Sequence, residues 1–266
     1  MLIDCHCHLT GGEFENIGGL DGVLCRAREN GVGLMICSGY DLDSSFVAAE
    51  IAEKNENVYF CAGFHPSELD KYKDGDMERL RSLCSHEKCV AVGEIGLDYH
   101  FEDNPPKETQ KELFLKQLEI ADEVGLPVVI HSRDAAQDTL ALLQAYPHLL
   151  KKGGLMHCYS YSAEMMELFL GLGLSFSFGG PCTFKNANKV QECVRRVPAT
   201  RLLSETDCPY LTPVPFRGTF PNEPKNVKHV VEQFAALREQ ETEAIKKQIE
   251  ENTKTLFFKW KGYGRE

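Results

Sequence analysis

The chain has 266 residues, a hydrophobic share of 42% and a formal net charge of −11 at pH 7. This length suits one barrel of about 250 residues, so we expect residues 1–266 to form a single domain. The acidic balance argues against broad electrostatic attraction to nucleic acid, but it allows a local cationic site.

The cysteines and the N-terminus bear on where the protein works. The chain has 11 cysteines and no C-x-x-C pair, which is typical of reduced, mostly buried thiols in a cytosolic protein. No basic region precedes an apolar run at the N-terminus, and no stretch approaches the roughly 18 apolar residues of a membrane span. We therefore expect a cytoplasmic monomer without membrane contact, or a nuclear one if the source is eukaryotic.

Short apolar runs alternate with longer amphipathic ones, which is the pattern of repeated βα units around a parallel sheet. Eight such units predict an α/β fold, a closed (β/α)8 TIM barrel. The alternative is an open doubly wound sheet, although no G-x-G-x-x-G follows the first strand. The predicted strands are Met1–His6, Gly33–Ser38, Val58–Gly63, Val90–Glu94, Pro127–His131, Gly154–His157, Leu174–Phe178 and Arg201–Ser204. The predicted helices are Leu20–Asn30, Ser44–Lys54, Lys107–Val124, Ala135–Ala145, Ala163–Leu172 and Asn188–Arg196, with Val227–Arg238 and Glu241–Lys259 as extra C-terminal helices.

Metal-competent side chains stand at most of the predicted strand ends, which meet at one rim of a parallel barrel. His6 and His8 point to the same face of the first strand, whereas Cys5 and Cys7 point to the other. A histidine pair of this kind can chelate a divalent metal, although alone it also fits one core and one surface histidine. The further candidates at strand ends are His65, Glu94, His131, His157, Glu205 and Asp207.

The carboxylates at these strand ends have separate expected roles. Glu94 follows a buried apolar run, where a carboxylate needs a partner, so we predict a metal ligand. Asp98 is expected to hold the loop or to orient a ligand. Asp207 and Glu205 lie two residues apart on one strand face, so one can bind metal while the other orients a histidine or a water molecule.

Basic side chains after the strands are candidates for substrate phosphates. Arg133 follows the fifth strand, Lys185 the seventh and Arg217 the eighth. His65 precedes a proline and can serve as a ligand, as a phosphate contact or as a loop residue. We expect a substrate contact from each of these four residues.

The predicted ligands suit a centre of two divalent ions. Four neutral histidines with Glu94 and Asp207 carry a charge of about −2, so two divalent ions leave a net charge of about +2. Such a centre activates water and attracts an anionic oxygen, which favours a phosphate ester as substrate. Imidazole and carboxylate ligands suit zinc, manganese or magnesium.

Six motifs, in order along nearly the whole chain, resemble the TatD family of metal-dependent deoxyribonucleases, which belongs to the amidohydrolase-like barrels. They are Met1-Leu2-Ile3-Asp4-Cys5-His6-Cys7-His8-Leu9, Gly63-Phe64-His65-Pro66, Gly93-Glu94-Ile95-Gly96-Leu97-Asp98-Tyr99, His131-Ser132-Arg133-Asp134-Ala135, His157-Cys158-Tyr159-Ser160 and Glu205-Thr206-Asp207-Cys208-Pro209-Tyr210-Leu211. One departure is Tyr161, where the family often has glycine, and this difference bears on the mouth of the site.

The resemblance implies hydrolysis of phosphodiesters in DNA, as an exonuclease or an abasic-site endonuclease, with a role in DNA repair or degradation. It implies single-stranded or damaged DNA as the substrate and two divalent ions, Zn, Mg or Mn, as cofactors. It assigns His6 and His8 to one metal, Glu94 to both, and His131 and His157 to the other. Asp207 becomes a ligand of the first metal and the general base, and Glu205 is expected to hold Asp207 or a histidine in place.

Two alternatives remain at this stage. A small-molecule amidohydrolase or lactonase would use the same two-metal centre, but such enzymes often bridge their metals with a carboxylated lysine. No lysine ends a predicted strand here, and Glu94 occupies the comparable position. A non-catalytic scaffold that kept the barrel is the second alternative, and the full set of candidate ligands weighs against it.

Overall fold

Eight parallel strands form a barrel in which each strand pairs with the next along the chain. The structure is a computed structural model and describes residues 1–258. Strands β1 to β8 are Leu2–Cys7, Val32–Ser38, Val58–Ala62, Cys89–Asp98, Val128–Arg133, Gly154–Met156, Ser175–Phe178 and Leu202–Ser204. Helices α1 to α9 are Gly19–Glu29, Leu42–Lys54, Asp76–Cys84, Lys107–Val124, Ala136–Ala145, Ala163–Leu170, Asn188–Arg196, Val227–Arg238 and Thr242–Thr253.

This architecture confirms the predicted (β/α)8 TIM barrel with extra C-terminal helices. After α9 the chain continues as a π-helical turn, Lys254–Phe258, and the predicted helix end at Lys259 lies outside the described residues. Across residues 1–258, no helix combines the length and the apolar character that a membrane crossing requires.

The strands form because parallel strands are covered on both faces and therefore favour continuous apolar runs. Every residue of β1 and β4 is buried, and helices pack outside the barrel. The sequence missed one helix, α3, because its segment carries four charged side chains among nine residues. Its apolar residues Leu80 and Leu83 nevertheless face the core, so tertiary packing outweighs the polar composition.

Strand β4 runs four residues beyond the end predicted at Glu94. Gly96 has φ +144°, and a Cβ atom there would lie only 2.0 Å from the carbonyl oxygen of His131. A glycine is therefore required for the strand to continue beside β5. This pairing sets Gly96 opposite His131 and Asp98 opposite Arg133, which brings Asp98 into the region of the site.

The first and last strands of the sheet come together where the chain after β8 forms hydrogen bonds with β1. The backbone N–H of Thr206 donates to Oδ1 of Asp4 at 2.8 Å, and that of Asp207 donates to the carbonyl of His6 at 3.0 Å. Asp207 has φ +55°, a left-handed conformation that an aspartate tolerates better than most residues. These hydrogen bonds therefore place the carboxylate of Asp207 beside His6 and His8.

Candidate metal centre

The predicted strand-end residues meet at a cleft of about 780 Å³ at the C-terminal rim of the barrel. Predicted site residues from six of the eight strand ends line this cleft or lie directly below it. His6 is completely buried beneath it, whereas His8 and Asp207 are each 14% exposed at the side chain. The residues that line the cleft include His8, His65, Glu94, Asp98, Arg133, His131, His157 and Asp207.

The first ligand group consists of His6, His8, Glu94 and Asp207. Nε2 of His6 lies 3.3 Å from Nε2 of His8, 3.3 Å from Oε2 of Glu94 and 3.7 Å from Oδ1 of Asp207. Nε2 of His8 lies 3.5 Å from the same Glu94 oxygen and 3.4 Å from the same Asp207 oxygen. A tetrahedral ion with ligands at 2.0–2.2 Å separates them by about 3.3–3.6 Å, so these residues fit a divalent metal.

The second ligand group consists of Glu94, His131 and His157. Oε1 of Glu94 lies 2.8 Å from Nδ1 of His131 and 2.7 Å from Nε2 of His157, and these two nitrogens are 3.2 Å apart. The two oxygens of Glu94 therefore face different ligand groups. Three protein ligands would leave an ion with an open position for water or substrate.

Two residues orient the histidines from behind. Oγ of Ser38 lies 3.0 Å from Nδ1 of His6, and Nδ1 of His8 lies 3.0 Å from the carbonyl oxygen of Ser38. Asp98 accepts from Nε2 of His131 at 3.1 Å. Such partners fix the tautomer and the ring orientation of a metal-binding histidine. The predicted alternative for Asp98, that it orients a ligand, matches this contact.

Burial and neighbouring charge push the three carboxylates of the site in different directions. Burial raises the pKa of Glu94 and of Asp207, but the surrounding imidazoles outweigh it and hold both pKa values below the usual range. Burial raises the pKa of Glu205 to about 7, because His157 and the hydrogen bonds from Ser177 and Cys158 offset only part of the effect of burial. Glu94 and Asp207 are therefore ionised and available to bind a cation. The raised pKa of Glu205 makes its carboxyl group less readily ionised and so a weaker candidate ligand.

Glu205 lies behind the second ligand group and does not line the cleft. It accepts from the backbone N–H of Cys158 at 2.7 Å and from the hydroxyl of Ser177. Its Oε2 is 3.9 Å from Nδ1 of His157, a buried nitrogen with no hydrogen-bond partner among residues 1–258. This position suits a residue that holds a histidine in place.

The thiols predicted to face away from the histidines lie on the other side of β1, where Cys5 and Cys7 are fully buried. Cys7 approaches Asp4 and Cys208 closely enough to form a possible ligand group there. Both oxygens of Asp4 already accept from Thr206, one from its N–H and one from its hydroxyl. The two ligand groups at the cleft remain the better candidates.

The four predicted substrate contacts lie in different places. His65 and Arg133 line the cleft, and Nε2 of His65 lies 3.6 Å from Oε1 of Glu94. Lys185 and Arg217 are exposed but do not line it, and the guanidinium of Arg217 lies 4.0 Å from the ring centroid of Phe184.

Tyr161 does not line the cleft either. Its hydroxyl lies 3.0 Å from Oγ of Ser132 and accepts from the backbone N–H of Ala135. It therefore supports the turn after β5 from behind, so any effect on the mouth would be indirect.

Sequence reasoning gave no role to several residues at the cleft. The sequence predicts Ser38 only as the last residue of a strand, because the residue type serine does not indicate which side chain it will contact. Phe101, which follows the third motif, and Tyr210, which lies within the sixth, also line the cleft, and their aromatic type was the available signal. Lys71 also lines it and contacts Asp41 at 2.7 Å.

Comparisons with known proteins agree with this geometry. The family model described as TatD related DNase matches residues 3–258. An "Uncharacterized metal-dependent hydrolase YabD" of Bacillus subtilis is 42% identical over 97% of this chain and 99% of its own length. A "3'-5' ssDNA/RNA exonuclease TatD" of Klebsiella pneumoniae is 33% identical over 96% of this chain and 97% of its own length. The crystal structure of YjjV, a TatD homologue of Escherichia coli, superposes with a TM-score of 0.89 at 32% identity, covering 96% and 97% of the two chains.

Proposed function

The chain belongs to the TatD-related DNase family of metal-dependent hydrolases, and we propose that it hydrolyses phosphodiester bonds in single-stranded DNA. The observation that carries the proposal is the carboxylate of Glu94. Its Oε2 belongs to the first ligand group and its Oε1 to the second, so one residue can bridge two divalent ions. We assign His6, His8 and Asp207 to one ion and His131 and His157 to the other.

Two divalent ions bound here would supply positive charge for the phosphate oxygens and lower the pKa of the attacking water. The protein supplies the rest of the chemistry. Asp207 is ionised and exposed to the cleft, so it can take the proton of that water. Arg133 can hold a non-bridging phosphate oxygen, and His65 borders the same space.

Two buried carboxylates keep the ligands in position. Asp98 orients His131 through a 3.1 Å contact, and Glu205 sits 3.9 Å from His157. Neither needs to touch substrate. Glu205 is therefore proposed as a positioning residue, and Asp207 as the residue that moves a proton.

Relatives guide the choice of substrate. Two relatives named "3'-5' ssDNA/RNA exonuclease TatD" are 33% and 32% identical to this chain and match over nearly its full length. We therefore propose exonuclease-type release of nucleotides, with abasic-site cleavage as a further activity and DNA repair or degradation as the setting. A monomeric, cytoplasmic enzyme stays our prediction from composition.

The proposal is tested with chelated protein to which Zn²⁺, Mn²⁺ or Mg²⁺ is returned singly. Single-stranded DNA, single-stranded RNA and an abasic duplex are the substrates, with a hydantoin and a lactone as the non-nucleic-acid comparison. We expect metal-dependent release of nucleotides from single-stranded DNA, bound metal near two ions per chain, and little action on the small molecules. Hydrolysis of the lactone or hydantoin alone would support the small-molecule alternative. Less than one bound ion per chain without any activity would support the scaffold alternative.

A further inference from the structure

Two exposed aromatic side chains flank the candidate metal centre. Phe101, after β4, is 52% exposed, and Tyr210, after β8, is 51% exposed; both line the cleft. Resting on the proposed function, we propose that these two rings stack on the bases on either side of the scissile phosphodiester. The substrate is then a strand whose terminal bases are unpaired and free to stack.

The two rings stand beside different ligand groups. The backbone N–H of Tyr210 donates to the carbonyl of Asp207 at 3.0 Å, and both residues line the cleft, so Tyr210 stands on the side of the first ligand group. Phe101 follows Asp98 by three residues, and Asp98 contacts His131 of the second ligand group. A phosphodiester lying across the centre would therefore have one ring near each of its two nucleosides.

Phe101 is paired with a cation that can reach a phosphate. The guanidinium carbon of Arg133 lies 5.1 Å from the centroid of the Phe101 ring. Within residues 1–258, the Arg133 side chain has no hydrogen bond or ion pair, so its N–H groups are available to a phosphate oxygen. Ring and guanidinium together form a surface that accepts a base and its phosphate.

Tyr210 is held on a fixed backbone. The side-chain amide of Asn222 donates to the carbonyl of Tyr210 at 2.8 Å, and the Phe220 ring lies 6.3 Å from the Tyr210 ring. Since its backbone is already fixed, Tyr210 loses less conformational freedom when a base stacks on its ring. Large exposed apolar groups beside a polar cleft are typical of a binding surface.

The charge of the cleft favours base contacts over phosphate contacts. Of the residues that line it, Lys71 and Arg133 are the lysine and the arginine, and the ammonium of Lys71 lies 2.7 Å from both Asp41 and Glu68. Outside the ligand groups, Glu13 also adds negative charge to the cleft. A long polyanion gains little there, so the binding energy beyond the metal centre has to come from stacking, which is sequence-tolerant.

The test uses the metal-loaded protein and two small substrates. One is the thymidine dinucleotide, and the other is the same sugar–phosphate dimer without bases. Substitutions Phe101→Leu and Tyr210→Leu keep apolar volume but remove the ring face. We expect each to lower kcat/KM for the dinucleotide about tenfold, mainly through KM, and to leave the base-free dimer unchanged.

Phe46→Leu is the matched control. Phe46 is 38% exposed on α2 and also has an arginine, Arg79, at 5.6 Å from its ring, but it lies outside the cleft. The Phe46→Leu substitution should leave kcat/KM unchanged for both substrates. Equal kcat/KM for the two substrates in the unmodified protein, or equal losses on both in the variants, would overturn the stacking proposal while the nuclease function stands. Failure to hydrolyse either dimer or any single strand would overturn the proposed function itself.

Salt dependence gives an independent readout on a ten-nucleotide single strand. If Arg133 is the main cleft cation on the phosphates, log(kcat/KM) should fall with log salt concentration with a slope of about −0.7. Arg133→Gln should remove most of that slope. A slope near −3 would mean that several more phosphates are held, which contradicts binding through the bases.

Discussion

Nε2 of His131 lies 3.1 Å from Oδ2 of Asp98, while Nδ1 of the same ring lies 2.8 Å from Oε1 of Glu94. The ring is thus held between a carboxylate that orients it and a carboxylate that shares its candidate metal. Its hydrogen bonds to Asp98 and Glu94 outweigh burial and raise the pKa of His131 to about 9 in the absence of metal. A bound cation would have to displace that proton.

Substitution Asp98→Asn should weaken metal binding at the second ligand group by about 10- to 100-fold. Oδ1 of Asp98 accepts from the N–H of His100 at 2.9 Å, so an asparagine that keeps this bond must turn its NH2 group toward His131. The NH2 group of the asparagine and the Nε2–H group of His131 are both donors, so they then face each other without an acceptor between them. Metal competition with a chromophoric chelator measures the loss.

Asp134→Asn is the matched control for this substitution. Asp134 contacts His100 at 2.8 Å in an exposed aspartate–histidine pair outside the ligand groups. It should leave metal affinity unchanged. If the Asp98 and Asp134 variants bind metal alike, Asp98 does not tune His131.

The contact between Asp98 and His131 shows what the sequence could and could not predict. The apolar runs predicted eight strands and the ligand-bearing strand ends, because buried parallel strands leave a clear pattern. The sequence predicts that this strand ends at Glu94 and that Asp98 holds the following loop or orients a ligand. Only pairing with β5 shows that Gly96 continues the strand, which is what brings Asp98 to His131.

Ser38 illustrates a second limit. Its hydroxyl contacts His6 of β1 and its carbonyl contacts His8, which directly follows β1. Both contacts depend on the pairing of β1 with β2. Sequence alone gives neither register nor side-chain direction at that precision. Lys185 and Arg217 show the converse, since a basic residue after a strand need not face the cleft.

Two substitutions at Glu205 separate its charge from its hydrogen bonds. Glu205→Gln can still accept from the N–H of Cys158, and its amide can donate to Ser177, so we expect an almost unchanged unfolding midpoint. Loss of the negative charge near His157 should lower metal affinity about tenfold. Glu205→Ala leaves the partly buried N–H of Cys158 unpaired and should cost about 1–3 kcal/mol of unfolding free energy.

Chemical denaturation of chelated protein and metal competition measure the two effects. A Glu205→Gln variant with unchanged metal affinity would contradict a positioning role for the charge. An alanine variant as stable as the unmodified protein would show that the bond to Cys158 contributes little.

Asp41 should stabilise α2 from outside the ligand groups. Its Oδ1 accepts from the N–H of Ser44 at 2.8 Å, and its own N–H donates to Oγ of Ser44 at 2.9 Å, which forms a capping box. Asp41→Ala should lower the unfolding free energy by about 1 kcal/mol, whereas Asp41→Asn retains the cap and should lose less. Equal losses in the two variants would mean that the charge, not the cap, dominates.

The Asp41 variants also predict a pH dependence. Burial raises the pKa of Asp41, but hydrogen bonds from Lys71 and Ser44 outweigh it, so the folded pKa lies below the ordinary value. A lowered carboxylate pKa stabilises the fold above the unfolded value of about 4, and this stabilisation is lost as the pH falls through the folded pKa. The stability gap between the unmodified protein and Asp41→Asn should therefore be constant near neutral pH and narrow below pH of about 4.

Asp207→Asn tests the residue proposed to move the proton. Asparagine tolerates the left-handed backbone at φ +55°, and its N–H can still donate to His6, so the fold should persist. Its amide can remain near His6 and His8 but cannot accept a proton at neutral pH. We expect turnover on single-stranded DNA to fall by about 100-fold or more, with the unfolding midpoint and the metal at the second ligand group retained.

Glu13→Gln is the control for Asp207→Asn, because Glu13 is a carboxylate of the same cleft outside both ligand groups. It removes one negative charge from the cleft without touching a candidate metal, so its turnover should change little. Metal content measured on both variants separates a lost ligand from a lost base. If Asp207→Asn keeps its metal and turns over at a near-normal rate, the proton must leave by another group, and His65, 3.6 Å from Glu94, is the next residue to substitute.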